Sequence, residues 1–245
     1  MRLNLLTGFL LLLSSTGVYS TGHRHSRKAR AGLSSLTPYN KNVLRSSGPH
    51  NGKATYYNGD WQGGNCGFTD YDQGSFQGLA IGNSEYLGSA ACGTCLRITG
   101  ATGTADVMVV DRCPECDADH LDVFETVAPQ IDADYQSKGV FEISWEEVPC
   151  SVSGGIQLKN KEGASGSYFA MQPRNTVHPV QSLEVFNGES WTWINREEYN
   201  FFVSYNGFGD NVSIRITSNT GETLTLENVA IGDGTIVYTS SQFSA

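Results

Sequence analysis

The chain has 245 residues, with 25 Asp or Glu against 16 Lys or Arg. Residues 1–50 hold seven basic and no acidic residues, so residues 51–245 hold nine basic and all 25 acidic ones, a formal −16. A body this acidic excludes nucleic acid and anionic membranes as partners and disfavours acidic polymers such as pectin, leaving neutral glucans and chitin open.

Residues 1–20 read as a secretory signal. Arg2 supplies the positive start, Leu5 to Leu13 is apolar apart from Thr7 and Gly8, and Val18 and Ser20 suit cleavage after Ser20. The run is shorter than the ~20 residues a membrane span needs, and no later stretch approaches that length. The mature protein is therefore expected to be soluble and exported. Residues 21–50, rich in Ser, His, Arg, Lys and Gly, read as a disordered linker or propeptide, with Arg27-Lys28-Ala29-Arg30 as a candidate processing site.

From Asn51 onward short β-type runs recur between Gly, Asn and Asp: Ala54–Tyr57, Leu96–Thr99, Asp106–Asp111 and Val140–Trp145. One helix is predicted after Asp122, through Val127 toward Gln130, and a second around Asp132–Lys138. Ser151-Val152-Ser153-Gly154-Gly155 reads as a linker. Beyond it come eight strand-like runs: Ile156–Leu158, Tyr168–Gln172, Val180–Phe186, Trp191–Ile194, Phe201–Tyr205, Val212–Thr217, Leu224–Val229 and Thr235–Tyr238. Their even spacing predicts a β-sandwich of immunoglobulin-like type over 156–245. Asn187-Gly188 suits a tight hairpin turn, and Asn211-Val212-Ser213 is a glycosylation sequon.

All six cysteines lie in the first half: Cys66, Cys92, Cys95, Cys113, Cys116 and Cys150. Cys92-Gly93-Thr94-Cys95 and Cys113-Pro114-Glu115-Cys116 have zinc-ribbon spacing, and the first also has the form of a redox dithiol. An exported chain with an even cysteine count favours three disulfides instead, each contributing ~2–4 kcal/mol, and no bound metal.

The densest chemistry lies between Val109 and Val123. Asp111 ends an apolar strand, and Asp122 follows a Cys-Pro turn. Two carboxyls at one groove raise each other's pKa, so that one stays protonated and donates to a sugar oxygen. The competing reading makes Asp122 a helix cap and Asp117 and Asp119 solvated turn residues.

Gly52-Lys53-Ala54-Thr55-Tyr56-Tyr57, Ala91-Cys92-Gly93-Thr94-Cys95, Val110-Asp111-Arg112-Cys113-Pro114, Leu121-Asp122 and Trp145-Glu146-Glu147-Val148-Pro149-Cys150 come in the order seen in expansins. Gln172-Pro173-Arg174-Asn175, His178-Pro179-Val180, Trp193-Ile194-Asn195 and Tyr199-Asn200-Phe201-Phe202-Val203-Ser204 are similar to the second domain of microbial members. The resemblance covers roughly residues 51–245. It implies a mainly β protein: a six-stranded double-psi β-barrel over 51–150, related to inverting endoglucanases, followed by the sandwich as a carbohydrate-binding domain. It also implies Thr55, Asp111 and Asp122 as groove residues for wall loosening, disulfides Cys66–Cys92, Cys95–Cys150 and Cys113–Cys116, and a glucan platform of Tyr168, Phe169 and Tyr199. The partner implied is cell-wall polysaccharide (cellulose, xyloglucan, mixed-linkage glucan or chitin), bound by a monomer without a cofactor.

Three points depart from the family pattern or strain it. Microbial members often carry a groove tyrosine two residues after the first Asp, where this chain has Cys113, so Tyr56 or Tyr57 is the candidate substitute. Tyr168 and Phe169 are adjacent, so a regular strand points them to opposite faces, and both join one platform only if the strand is bulged or twisted. The family normally has tryptophans at this pair, and the smaller rings are expected to bind more weakly. Trp193 matches a core position, and Lys159 or Lys161 is a candidate fringe of the platform. Inversion needs an acid and a base roughly 6.5–9.5 Å apart. Expansins lack the base, and Asn58-Gly59 fits that lack, while Asp60 keeps a weak endoglucanase using Asp122 as acid in play. A purely binding protein with an inert barrel is the third reading.

Overall fold

The computed structural model describes residues 49–72 and 74–245. The predicted signal and all but the last two residues of the basic segment lie outside them.

Six strands form a closed barrel: β1 (His50–Tyr57), β2 (Gln77–Gly82), β3 (Cys95–Thr99), β4 (Thr104–Cys113), β5 (His120–Phe124) and β6 (Phe141–Val148), in the order β1-β5-β2-β4-β3-β6. Alternate residues point inward. Ala54, Leu79, Ile81, Leu96, Ile98, Val107, Val109, Leu121, Val123 and Trp145 fill the core. β5 pairs parallel with β1 and antiparallel with β2, while β2 pairs parallel with β4. The helix predicted from Asp122 is a misreading. Asp122 lies inside β5, and the helices are α1 (Asn83–Tyr86), α2 (Ala128–Ile131) and α3 (Tyr135–Lys138). Leu121, Val123 and Phe124 are all buried, which fixes strand period over helical period there. Pro129 then stands in the first turn of α2, where its missing N–H costs nothing.

The cysteines pair as the resemblance implies: Cys66–Cys92, Cys95–Cys150 and Cys113–Cys116. All six are consumed, which leaves no thiol for zinc or for redox exchange.

The remaining strands are β7 (Gln157–Asn160), β8 (Phe169–Arg174), β9 (Val180–Phe186), β10 (Trp191–Arg196), β11 (Phe202–Ser204), β12 (Asn211–Ser218), β13 (Thr223–Ala230) and β14 (Ile236–Tyr238). Their order is β13-β12-β9-β10-β11-β8-β7-β14. β10 pairs with β9 through Trp191–Ile194 and with β11 through Asn195–Arg196, and so links the two sheets of the sandwich. Ile156, Leu158, Phe169, Met171, Leu183, Val185, Ile194, Phe202, Ile214 and Ile216 build its core. The turn at Asn187-Gly188 spans four residues rather than two. Asn187 Oδ1 accepts from the amides of Glu189 and Ser190, and only Gly188 takes positive φ.

Barrel and sandwich meet through buried polar groups. Arg174 donates to Gln172 Oε1, to Thr69 O (2.7 Å) and to Gly67 O (2.9 Å). Gln172 and Asn200 both donate to Cys66 O, at 2.8 and 3.2 Å. Tyr86 and Ser89 donate to Glu198 O and Glu197 O, at 2.6 and 2.7 Å. Gly67, at φ +63°, leaves space for the Tyr199 carbonyl, which a Cβ there would meet at 3.1 Å.

Candidate functional site

On the outer side of the barrel one row of residues crosses four neighbouring strands. Thr55 of β1 pairs with Asp122 of β5, Asp122 with Ala80 of β2, and Ala80 with Asp111 of β4. The register shifts at Leu79/Ala80, where Val110 is the extra residue of β4. That bulge re-aims Asp111 to the side shared by Asp122. Adjacent strands lie ~4.8 Å apart, so the two Asp backbones are separated by about two strand spacings. Ala80 keeps the floor between them low, and it packs with Cys113, Cys116 and Tyr57.

The row is hydrogen-bonded. Thr55 donates to Asp122 Oδ1 at 2.6 Å and lies 3.0 Å from His120 Nε2. The Thr55 proton is committed to the carboxylate, so His120 donates from Nε2 when Asp122 is ionised. Burial, aided by Lys53, holds the His120 pKa below its ordinary value, which favours the neutral ring. Burial raises the Asp122 carboxyl above the usual carboxylate range, opposed by the Thr55 hydrogen bond and by His120. Asp111 contributes least to this rise, so the expected mutual elevation of two carboxyls is replaced by desolvation. Asp111 Oδ1 accepts from the amides of Asn65 (2.6 Å) and Arg112 (2.8 Å), and Tyr57 donates to its other oxygen at 3.4 Å. Tyr57 thus brings an aromatic to the groove from β1, while Cys113 is tied into the Cys113–Cys116 disulfide. Burial, with Asp111 and Asp122 beside it, raises the Tyr57 pKa far up, so its hydroxyl stays a donor.

Asp60 Oδ1 is engaged by the amides of Gln62 and Gly63, at 2.8 and 2.9 Å, closing a local turn. Asp60→Asn is expected to leave sugar release from soluble glucan unchanged, within assay error of the parent chain.

The aromatic surface of the sandwich differs from the expected trio. Phe169 is 1% exposed, and its ring packs edge-on against Phe208 in the core. β8 stays regular here, so adjacent residues face opposite ways and only Tyr168 turns outward. The third ring is Tyr205, 80% exposed, with its centroid 6.0 Å from that of Tyr168. Tyr199, on the β10–β11 loop, is exposed with its centroid 6.0 Å from Phe201. Lys159 does not fringe this surface. It is buried and donates to Gly234 O at 3.0 Å. Trp193 is no core residue either, being 41% exposed on the outward side of β10. Asn211 is exposed at the start of β12.

Groove and tyrosines are joined by one short path. The Asn65 amide donates to Asp111, and the Asn65 side chain donates to Glu198 O at 3.0 Å, one residue before Tyr199. His120 and Tyr205 were the two members absent from the sequence-based site. Period-2 alternation with Asp122 is the signal that finds His120.

The Barwin family model matches residues 53–150. Expansin-like protein 5 of Dictyostelium discoideum is 29% identical over 223 residues, covering 86% of this chain and 90% of that protein. Expansin-YoaJ of Bacillus subtilis (strain 168) is 29% identical over 177 residues, covering 71% of this chain and 75% of its own. A crystal structure of a Clavibacter michiganensis expansin mutant in complex with cellohexaose superposes with a TM-score of 0.72 at 28% identity, over 81% of this chain and 99% of that one.

Proposed function

From its membership of the expansin family, carried by both sequence and fold, we propose that this chain is an exported protein that binds neutral cell-wall glucan and loosens it without hydrolysis. The observation that supports this reading is the connection of the row Thr55–Asp122–Ala80–Asp111 to the exposed rings of Tyr199 and Tyr205 and the half-buried ring of Tyr168. Flat rings take the apolar faces of sugars with little entropy loss. The groove groups then compete for hydroxyls that neighbouring polymer chains share. Asp111 accepts, Tyr57 donates, and Asp122 does either as it gains or loses its proton. Asp60, tied to two backbone amides, is poorly available as the base that inversion requires.

Two measurements test the proposal together: extension of a heat-inactivated wall strip under load, and reducing-end release from the same glucan. Extension without release is expected. Release in proportion to extension would replace the reading with hydrolysis. Removing Tyr168 or Tyr205 as alanine is expected to weaken adsorption to cellulose by about 3- to 10-fold per ring, the scale of one aromatic stack. Phe169→Ala should instead act on stability, costing ~3–5 kcal/mol through the cavity it leaves. Binding isotherms and denaturant curves separate the two.

A further inference from the structure

A second aromatic patch lies away from the tyrosines, on the outward side of β9 and β10. Phe186 pairs with Trp191, and their centroids are 5.4 Å apart. Phe186 and Trp193 are 37% and 41% exposed. Trp191 and Trp193 are two residues apart on one strand, hence on one side and about 7 Å apart. Across the sheet Trp193 pairs with Glu184, Glu184 with Arg215, and Arg215 with Thr225. Arg215 holds both Glu184 oxygens at 2.8 Å and lies 4.6 Å over the Trp191 ring, which fixes that ring's orientation. The neighbouring outward positions Ser213, Thr217, Thr223 and Thr225 are polar, so large rings are confined to one corner of the face.

We infer that this corner is a second binding surface for an uncharged glucan chain. The inference rests on the function proposed above. Charge selects the occupant. The Glu184–Arg215 pair leaves the corner itself without net charge, so no unpaired charge there draws an ionic ligand, and the acidic body disfavours an anionic polymer and a second copy of the chain. The exposed, mutually tilted rings of this corner, beside fixed hydrogen-bonding groups, suit sugar faces and edges together. Asn195 continues the outward side of β10 and pairs with Val203 of β11, which packs with Tyr168, so the tyrosine face is reached across the neighbouring strand.

The chain has four tryptophans, which provide the test. Trp61 and Trp145 are buried in the barrel at 7% and 1% exposure, and the tyrosine surface has none. Titration of the full chain with cellohexaose should change tryptophan emission saturably. The change should persist in a Tyr168→Ala, Tyr205→Ala double variant. Adding Trp193→Ala to that variant should weaken its remaining cellohexaose binding by about 3- to 10-fold. Binding by the parent chain with unaltered emission, and no further loss on Trp193→Ala, would overturn the inference while leaving the tyrosine site standing. Emission that changes with protein concentration alone, together with sedimentation as a dimer, would make the patch a contact between copies and overturn it too. No binding by any variant or by the parent chain would remove both readings.

Discussion

Asp122→Asn is expected to cut wall extension by about 10- to 100-fold while leaving adsorption to cellulose unchanged. The magnitude follows from one hydrogen bond to a charged group, ~1.5–3 kcal/mol. Thr55 fixes one oxygen of the carboxyl at 2.6 Å, and the other makes no hydrogen bond among the described residues. Burial raises the pKa of this group, so neutral and ionised forms coexist under milder acid than for an exposed Asp. A carboxyl in that condition donates to one hydroxyl and then accepts from the next. An amide has a fixed donor and a fixed acceptor and cannot alternate. Extension by the parent chain should therefore fall as pH rises through the elevated pKa, while the variant should be both slow and flat with pH. Stability carries the same sign. The folded state disfavours the charged form, so this group's contribution is complete below the ordinary Asp range and is lost as pH rises through the raised value. Asp122→Asn should then unfold at slightly higher denaturant than the parent at neutral pH. Creep assays across pH, paired with urea curves, check both statements. Full extension by the variant would remove the groove from the mechanism.

Much of this architecture was readable from local pattern. All eight strands of the second half were anticipated, because each alternates or runs apolar between turn residues. Two barrel strands were not. Gln77–Gly82 is short and carries glycines at its second and last positions, and its side chains give little periodicity of their own. His120–Phe124 follows a Cys-Pro turn and contains an Asp, which together imitate a helix start. Its real determinant is parallel pairing with β1, some 65 residues away. The groove was half legible for a related reason. Asp111 and Asp122 stood out from the dense acidic segment itself and Thr55 entered through resemblance, but the row through Ala80 depends on a bulge at Val110 that no local preference announces. Likewise Phe169 and Tyr205 exchange places once β8 and β11 are paired. Ser204 stands opposite Phe169, which sets Tyr205 beside Tyr168. Side-chain direction in a strand follows from its neighbours, and in this chain the neighbours lie about 35 residues apart.

Arg174→Met is expected to cost about 2–4 kcal/mol and to separate the unfolding of barrel and sandwich. Arg174 is 1% exposed, yet it carries a charge. Its burial is unfavourable in itself and lowers its pKa to about 10, still well above neutrality. Three acceptors offset that cost: Gln172 Oε1 on its own strand, and the carbonyls of Thr69 and Gly67 on the barrel. Met keeps much of the volume and removes the desolvation cost of the cation, but it leaves those acceptors dry, at ~1–3 kcal/mol each. The orphaned carbonyls outnumber the single relieved charge, so the balance is destabilising. The effect reaches the proposed binding surface because the same segment is stapled by Cys66–Cys92, and Cys66 O receives Gln172 and Asn200, the residue after Tyr199. Loosening this joint therefore frees the Tyr199 loop from the Asp111 groove. Urea unfolding should change from one transition to two, and wall extension should fall while each half still folds. A single transition at the parent midpoint would show that the joint is held elsewhere, by Tyr86 and Ser89 on the facing loop.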